Sequence, residues 1–203
     1  MFKIPRWFSL PQFRLGTLFA IVVIFAILGG WWSDHRRLSQ QIYELQNPGP
    51  RWDTSQATGP PNTPGSGDIQ TAWASSMPDA GPEWLVLDYA KPVTAQSVEI
   101  HETYNPGAVN QISVFAADGR ELMVWRGIDP TSTSAPRGIS RIPLDVDFPV
   151  QRIKVYIDSA AVPGWNEIDA VGLVEETGRT HWAAKAYASS SFGRNLKLPA
   201  WYK

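Results

Sequence analysis

The chain has 203 residues, 43 % hydrophobic and 18 % charged, a composition that excludes disordered, collagen-like and coiled-coil proteins and predicts a folded body. It has no cysteine, which removes disulfides, thiolate zinc sites, iron–sulfur clusters and a cysteine nucleophile. The formal net charge of −1 conceals an acidic centre, 14 acids against 7 bases over residues 83–176, between basic ends; nucleic acid, which needs a basic stripe to displace its counterions, is excluded as a partner. His35, His101 and His181 are too far apart for a compact metal motif. Ten tryptophans predict either heavy core packing or exposed aromatic contact surfaces.

Residues 1–14 form a basic flank with Lys3, Arg6 and Arg14. The run LGTLFAIVVIFAILGGWW at 15–32 is uncharged and, as a helix, long enough to cross most of a bilayer core, so it reads as a transmembrane anchor. Phe2, Trp7 and Phe8 before it and Trp31 and Trp32 at its end occupy the positions of interfacial aromatics. A cleaved signal peptide is the competing reading; the length of the run and the Gly29, Gly30, Trp31, Trp32 sequence in place of a small-residue cleavage site argue against it. The nearest flanks lean toward a cytoplasmic N-terminus, which gives a single-pass membrane protein with its C-terminal domain outside the cytoplasm. The stretch from FSLPQFRLGTLF through the aliphatic run to the Arg36, Arg37 exit resembles the N-terminal anchors of planctomycete proteins.

Residues 33–51 read as a stalk and linker. Ser33 is placed as an N-cap, with Leu38, Ile42 and Leu45 at helical spacing. Residues 47–67 hold five prolines and four glycines, which excludes a long helix or a central strand. This segment is either a spacer or an arm laid on the body. From residue 83 the pattern becomes period-2 runs between turn residues, predicting strands at 84–89, 97–101, 111–116, 121–126, 138–144, 152–158 and 168–174. Val98 and Ile100 point inward against Ser97, Glu99 and His101, as do Ile153, Val155 and Ile157. Asp118 and Gly119 supply the positive φ angles of a tight hairpin. Seven short strands make an all-β body, a β-sandwich or jelly roll.

The ordered blocks ATGPPNT at 57–63, Gly67 and Asp68, AWAS at 72–75, EWL at 83–85, ETYNPGAV at 102–109, Asp118 and Gly119, and WNEIDAV at 165–171 resemble the scarf-like β-domain of pappalysin-type proteins. That domain is similar in turn to the discoidin or galactose-binding-like jelly roll. The resemblance spans residues 52–176 and implies a binding or architectural module rather than a catalyst. It also draws the Pro/Gly segment into the domain edge. Residues 177–203 are a C-terminal extension; its segment 180–193 resembles the opening that precedes such domains, and is either a remnant of a repeat or a last strand folded back.

No nucleophile elbow, zinc-protease helix, phosphate loop or EF-hand loop occurs in the chain, so no enzyme and no cofactor is expected. Glu99, His101 and Glu102 put acids near an imidazole, which reads as a solvated cross-sheet pairing. The loops at 102–109 and 163–167 are richer, since turn residues there project aromatic and polar side chains from strand ends. If they lie at one end of the sandwich, Tyr104 and Trp165 offer stacking faces, and Glu102, Asn105, Asn166 and Glu167 directional hydrogen bonds, for a glycan or a protein partner. A closing structural loop and a core Trp165 are the competing fates. The galactose-binding-like resemblance implies one further candidate, a structural calcium on Asp68 and Glu167 beside backbone carbonyls of the Pro/Gly loop. The function read from the sequence is a non-catalytic, membrane-anchored binding module for carbohydrate or protein at the cell surface or in the periplasm. The alternative is a structural, partner-assembling domain without a small ligand.

Overall fold

The structure is a computed structural model that describes residues 22–26, 28–32, 34, 38 and 51–193. The chain separates into two units, Met1–Gly49 and Pro50–Lys203. In the first, every described residue is helical and exposed, and residues 22–26 and 28–32 fall inside the apolar run 15–32. The remainder of that run, the flank 1–14, most of the expected stalk and residues 194–203 lie outside the described residues. Among the described residues no helix is long and apolar enough to cross a membrane.

The second unit is built from β1 (Trp73–Ala74), β2 (Pro82–Val93), β3 (Ala95–Tyr104), β4 (Val109–Phe115), β5 (Glu121–Arg126), β6 (Gly138–Pro143), β7 (Val150–Asp158), β8 (Glu167–Glu175), β9 (Thr180–Trp182) and β10 (Lys185–Ala188). The seven strands expected from period-2 patterning are β2 to β8. The two to four residues of β1, β9 and β10 are too few to show a period. All pairings are antiparallel: one sheet runs β1-β8-β3-β6, with β9 also on β8, and the other runs β10-β2-β7-β4-β5. The inward residues meet in a single core. Val98, Ile100, Ile153 and Val155 are fully buried, Ile157 nearly so, and Leu85, Leu87, Ile112, Val114, Ile142 and Leu173 join them. Each such aliphatic side chain withdrawn from water contributes about 1.5–3 kcal/mol before chain entropy is set against it.

The hairpin between β4 and β5 differs from the sequence reading in one respect. Only Gly119 takes a positive φ, +84°; Gly119 N–H donates to Ala116 O and Ala116 N–H to Arg120 O, both at 2.9 Å. This is a three-residue loop with one left-handed glycine, so Asp118 keeps a negative φ and receives the Arg120 N–H on its carboxylate at 3.0 Å.

From residue 51 onward the Pro/Gly segment is an ordered arm. Asp53 caps a 3-10 turn at Thr54–Ala57 by accepting Ser55 N–H, and Gly59 N–H reaches Ala183 O at 2.9 Å. Asn62 and Thr63 donate their N–H groups to the Asp169 carboxylate at 3.1 and 3.2 Å. Proline fixes φ and lacks a donor, so such a chain cannot join a ladder and is held at separate points, by the Asp169 carboxylate and by single backbone carbonyls. The arm contributes to the burial of the first seven residues of β8, which therefore lacks the in–out alternation of a half-solvated strand. Residues 180–188, beyond the body expected at 52–176, supply β9 and β10, one to each sheet.

Candidate functional site

The chain leaves β3 where it enters β8, because the two strands are antiparallel neighbours with Tyr104 opposite Glu167. The loops at 102–109 and 163–167 therefore meet at one end of the sandwich. They interlock: Asn105 Nδ2 donates to Trp165 O at 2.9 Å, and Asn166 Nδ2 donates to Asn105 O at 2.8 Å. Asn105 sits at φ +43°, a left-handed conformation that asparagine tolerates. Gly164, at φ +94°, faces it so closely that a Cβ would stand 2.7 Å from Asn105 Nδ2.

This interlock redistributes the sequence candidates. Asn105 and Asn166 use their amide donors to close the loops; Asn166 is buried, with its Oδ1 unpartnered. Glu102 also turns inward. A bulge in β3 at Glu102 buries both it and Thr103, and Glu102 Oε1 accepts Gly107 N–H at 3.1 Å. The Ser140 hydroxyl lies 2.9 Å from Glu102 Oε2 and against Asp129 Oδ1, while Asp129 accepts Val109 N–H at 2.8 Å and Thr131 N–H at 2.9 Å. One hydroxyl proton cannot serve two carboxylates at once, so the cluster accommodates a proton on a carboxyl group. Burial, and then the charge of Asp129, push Glu102 up to about 8. These three residues are parts of the scaffold rather than of an open surface.

Trp165 and Glu167 do converge on a cavity, together with Asp68. A pocket of about 90 Å³ is lined by Trp52, Asp68, Ala74, Trp165, Glu167 and Phe192. Glu167 is buried in the floor: its Oε1 accepts the Trp52 indole N–H at 3.0 Å and its Oε2 the Ile69 N–H at 3.2 Å. Burial, and the neighbouring Asp68 carboxyl, hold Glu167 at about 8. The Phe192 ring stands edge-on to both tryptophans, 5.5 Å from Trp52 at 75° and 5.8 Å from Trp165 at 87°. Trp165 is half-buried, and its indole N–H donates to Ser75 O at 3.1 Å. Phe192 is 54 % exposed and is fastened through its N–H to Ala74 O at 2.9 Å. Tyr104 is half-buried on the adjoining strand and is not among the lining residues.

Trp52 and Phe192 were not among the sequence candidates. They bracket the domain, one in the arm and one after β10, and no local motif joins them. The only signal available was the presence of an aromatic residue near each end of the body.

The same pocket tests the calcium expectation. Calcium takes six to eight oxygens, whereas Asp68 and Glu167 supply two carboxyl groups and both Glu167 oxygens already accept N–H groups. Among the described residues no group of three or more His, Cys, Asp or Glu side chains could hold a metal. The two carboxyl groups by themselves fall short of a calcium shell, and further oxygens would have to come from backbone carbonyls of the arm. Glu99 and His101 are paired at 2.7 Å, with Arg141 at 3.1 Å on the other Glu99 oxygen. The imidazole lies edge-on to Trp182, 5.4 Å between centroids; the Glu99–His101 pair runs along β3 with the His101 and Glu99 side chains 16 % and 13 % exposed, less solvated than the sequence reading expects, and only the Arg141 contact crosses to β6.

Fold and pocket together define a two-sheet β-sandwich with a small aromatic and acidic cavity at its loop end. The sequence model of the family described as Pappalysin-1, SD scarf domain, C-terminal, matches residues 35–184, and the chain belongs to that family. Membership suggests a non-catalytic, extracellular module. No curated protein matches the chain.

Proposed function

We propose that the protein is a membrane-tethered binding module whose loop-end pocket receives a glycan or a side chain of a protein partner outside the cytoplasm. The observation that carries this reading is the cavity between Trp52, Trp165 and Phe192 with carboxyl groups in its wall, because concave apolar sites with a few placed polar groups are where ligands bind. The tether is supported by the uncharged run 15–32 and by the exposed apolar side chains Val22, Phe25, Leu28, Trp31 and Trp32 on its described helical residues. Such a surface is at home in lipid. The test is binding of the full chain, in detergent micelles, to glycan and peptide arrays. Trp165→Ala and Trp52→Ala lower the signal at least tenfold if the pocket is the site; unchanged binding by both variants, or no ligand for the wild type, refutes the reading.

One set of observations favours the second reading, a partner-assembly domain. Strands β5 and β6 are sheet edges, and the apolar side chains Met123, Ile128 and Ile139 on or beside them are exposed, Ile128 at 93 %. Unpaired edges of this kind accept a strand from another chain. Retention of a protein partner by the pocket variants, together with its loss on adding a lysine to β5 at Met123, would favour assembly.

A further inference from the structure

The pocket's hydrogen-bonding inventory restricts what it can hold. Among its six lining residues the only side-chain N–H donors are the indoles of Trp52 and Trp165, and both are committed, one to Glu167 Oε1 and the other to Ser75 O. Both Glu167 oxygens accept N–H groups and its carboxyl, held at about 8, keeps a proton at neutral pH, so what remains toward the cavity is the carboxyl group of Asp68 and the π-electron density of the aromatic rings. A sugar presents as many hydroxyl acceptors as donors and lies flat on a ring. Here Phe192 stands at 75° to Trp52 and 87° to Trp165, so the rings form walls rather than one flat platform. Aromatic walls carry a negative face, and with the Asp68 carboxyl group beside them they attract a cation that is weakly hydrated and broad enough to touch several rings. The three rings in the wall favour a cation that carries apolar groups over a bare metal ion, which takes oxygens. At about 90 Å³ the cavity takes a small ammonium head rather than a whole sugar ring.

From this geometry we infer that the pocket of Trp52, Trp165, Phe192, Asp68 and Glu167 recognises an alkylammonium group, presented as a lysine side chain, methylated or not, on a protein partner. The inference rests on the binding-module reading and specifies its ligand. The alkyl carbons lie against the rings and displace water, while the positive charge faces the Asp68 carboxyl group. Asp68, exposed at the rim, meets the incoming charge first; Glu167 forms the floor.

The experiment is ligand-observed saturation-transfer NMR on the full chain in dodecyl maltoside micelles, which carry no cationic headgroup. The probes are N-acetyl-lysine methylamide, its trimethyl-lysine form, phosphocholine, the neutral isostere 3,3-dimethylbutanol and methyl β-galactoside. The lysine probes bind at least tenfold more tightly than the neutral isostere, and Asp68→Asn weakens them at least threefold. Asp68 is exposed, so that variant folds as the wild type does. Trp165→Phe, which keeps a ring, retains binding, and Trp165→Ala loses it. Phosphocholine binding more tightly than either lysine probe overturns the lysine source in favour of a choline headgroup. Equal binding of the neutral isostere, or indifference to Asp68→Asn, overturns the cation. Galactoside binding that is sensitive to Trp165→Ala, without lysine binding, overturns this inference and leaves the binding module standing; no binding by any probe removes both.

Discussion

Replacing Glu102 by glutamine makes the folded protein more stable at alkaline pH while leaving it almost unchanged in mild acid. The Ser140 hydroxyl lies between Glu102 Oε2 and Asp129 Oδ1. Its single proton leaves one carboxyl contact to be made by a carboxylic acid, and burial followed by the Asp129 charge raises Glu102 from 4.5 to about 8. The folded state therefore holds a proton that the unfolded chain releases near 4.5. A group raised in the fold contributes its full stability below the unfolded value and loses it as the pH climbs through the folded one. Each pH unit of that separation is worth about 1.4 kcal/mol, so the window from 4.5 to about 8 corresponds to a loss on the order of 3–5 kcal/mol. Glutamine has the shape of the protonated acid: its carbonyl accepts the Gly107 N–H and its amide donates toward Ser140 and Asp129, with no proton to lose. The assay is urea unfolding of the full chain in micelles, followed by tryptophan fluorescence between pH 5 and 9. Glu167, also held at about 8, adds a decline of the same sign to both proteins, so the difference between wild type and Glu102→Gln isolates Glu102. It is near zero at pH 5 and grows to a few kcal/mol in favour of the variant by pH 9. Parallel curves, or a wild type that gains stability between pH 6 and 8, would refute the protonated-cluster argument.

Ending the chain after residue 176 removes β9, β10 and Phe192; it exposes Leu85, Val86 and Leu87 along an opened edge of β2, and circular dichroism with thermal unfolding should show a large fall in stability against a chain ending at 193. Trp165→Ala loses a half-buried ring, its bond to Ser75 O and its edge contact with Phe192, and is expected to cost about 2–3 kcal/mol in denaturant unfolding, below the 3–5 kcal/mol of a full core aromatic deletion; Trp165→Phe recovers at least half of it. Asp169→Ala strips the acceptor from the Asn62 and Thr63 N–H groups and should raise hydrogen exchange in residues 58–67 by at least tenfold while the strands stay protected. Alkaline carbonate washing of membranes should leave the full chain in the pellet, and deletion of residues 15–32 should release it; release of the intact full chain would remove the tether.

Strand positions and their inward faces were legible in the sequence because a strand that is half-buried writes its environment locally, every second residue. Val98 and Ile100 on β3 and Ile153, Val155 and Ile157 on β7 announce the core without knowledge of their neighbours. The same locality is why β1, β9 and β10 were not legible, and why β8, covered on both faces, shows no alternation over its first seven residues. The Asp118–Gly119 turn was legible as a hairpin; which of the two residues takes the positive φ was set by the loop's own hydrogen bonds.

The site divides along the same line. The sequence by itself determined that aromatic and acidic residues gather near 102–109 and 163–167, that Asp68 and Glu167 are candidates for one centre, and that the chain carries the ordered blocks of a scarf domain. Only the tertiary structure decided that Glu102, Asn105 and Asn166 turn inward to hold the scaffold, whereas Trp165 and Glu167 face a cavity closed by Trp52 and Phe192. Trp52 and Glu167 touch across 115 positions of sequence. A contact of that kind depends on the order in which strands join the sheets and on where the arm and the end of the body are laid across them, and side-chain periodicity, which records only whether a residue faces in or out, carries no information about either.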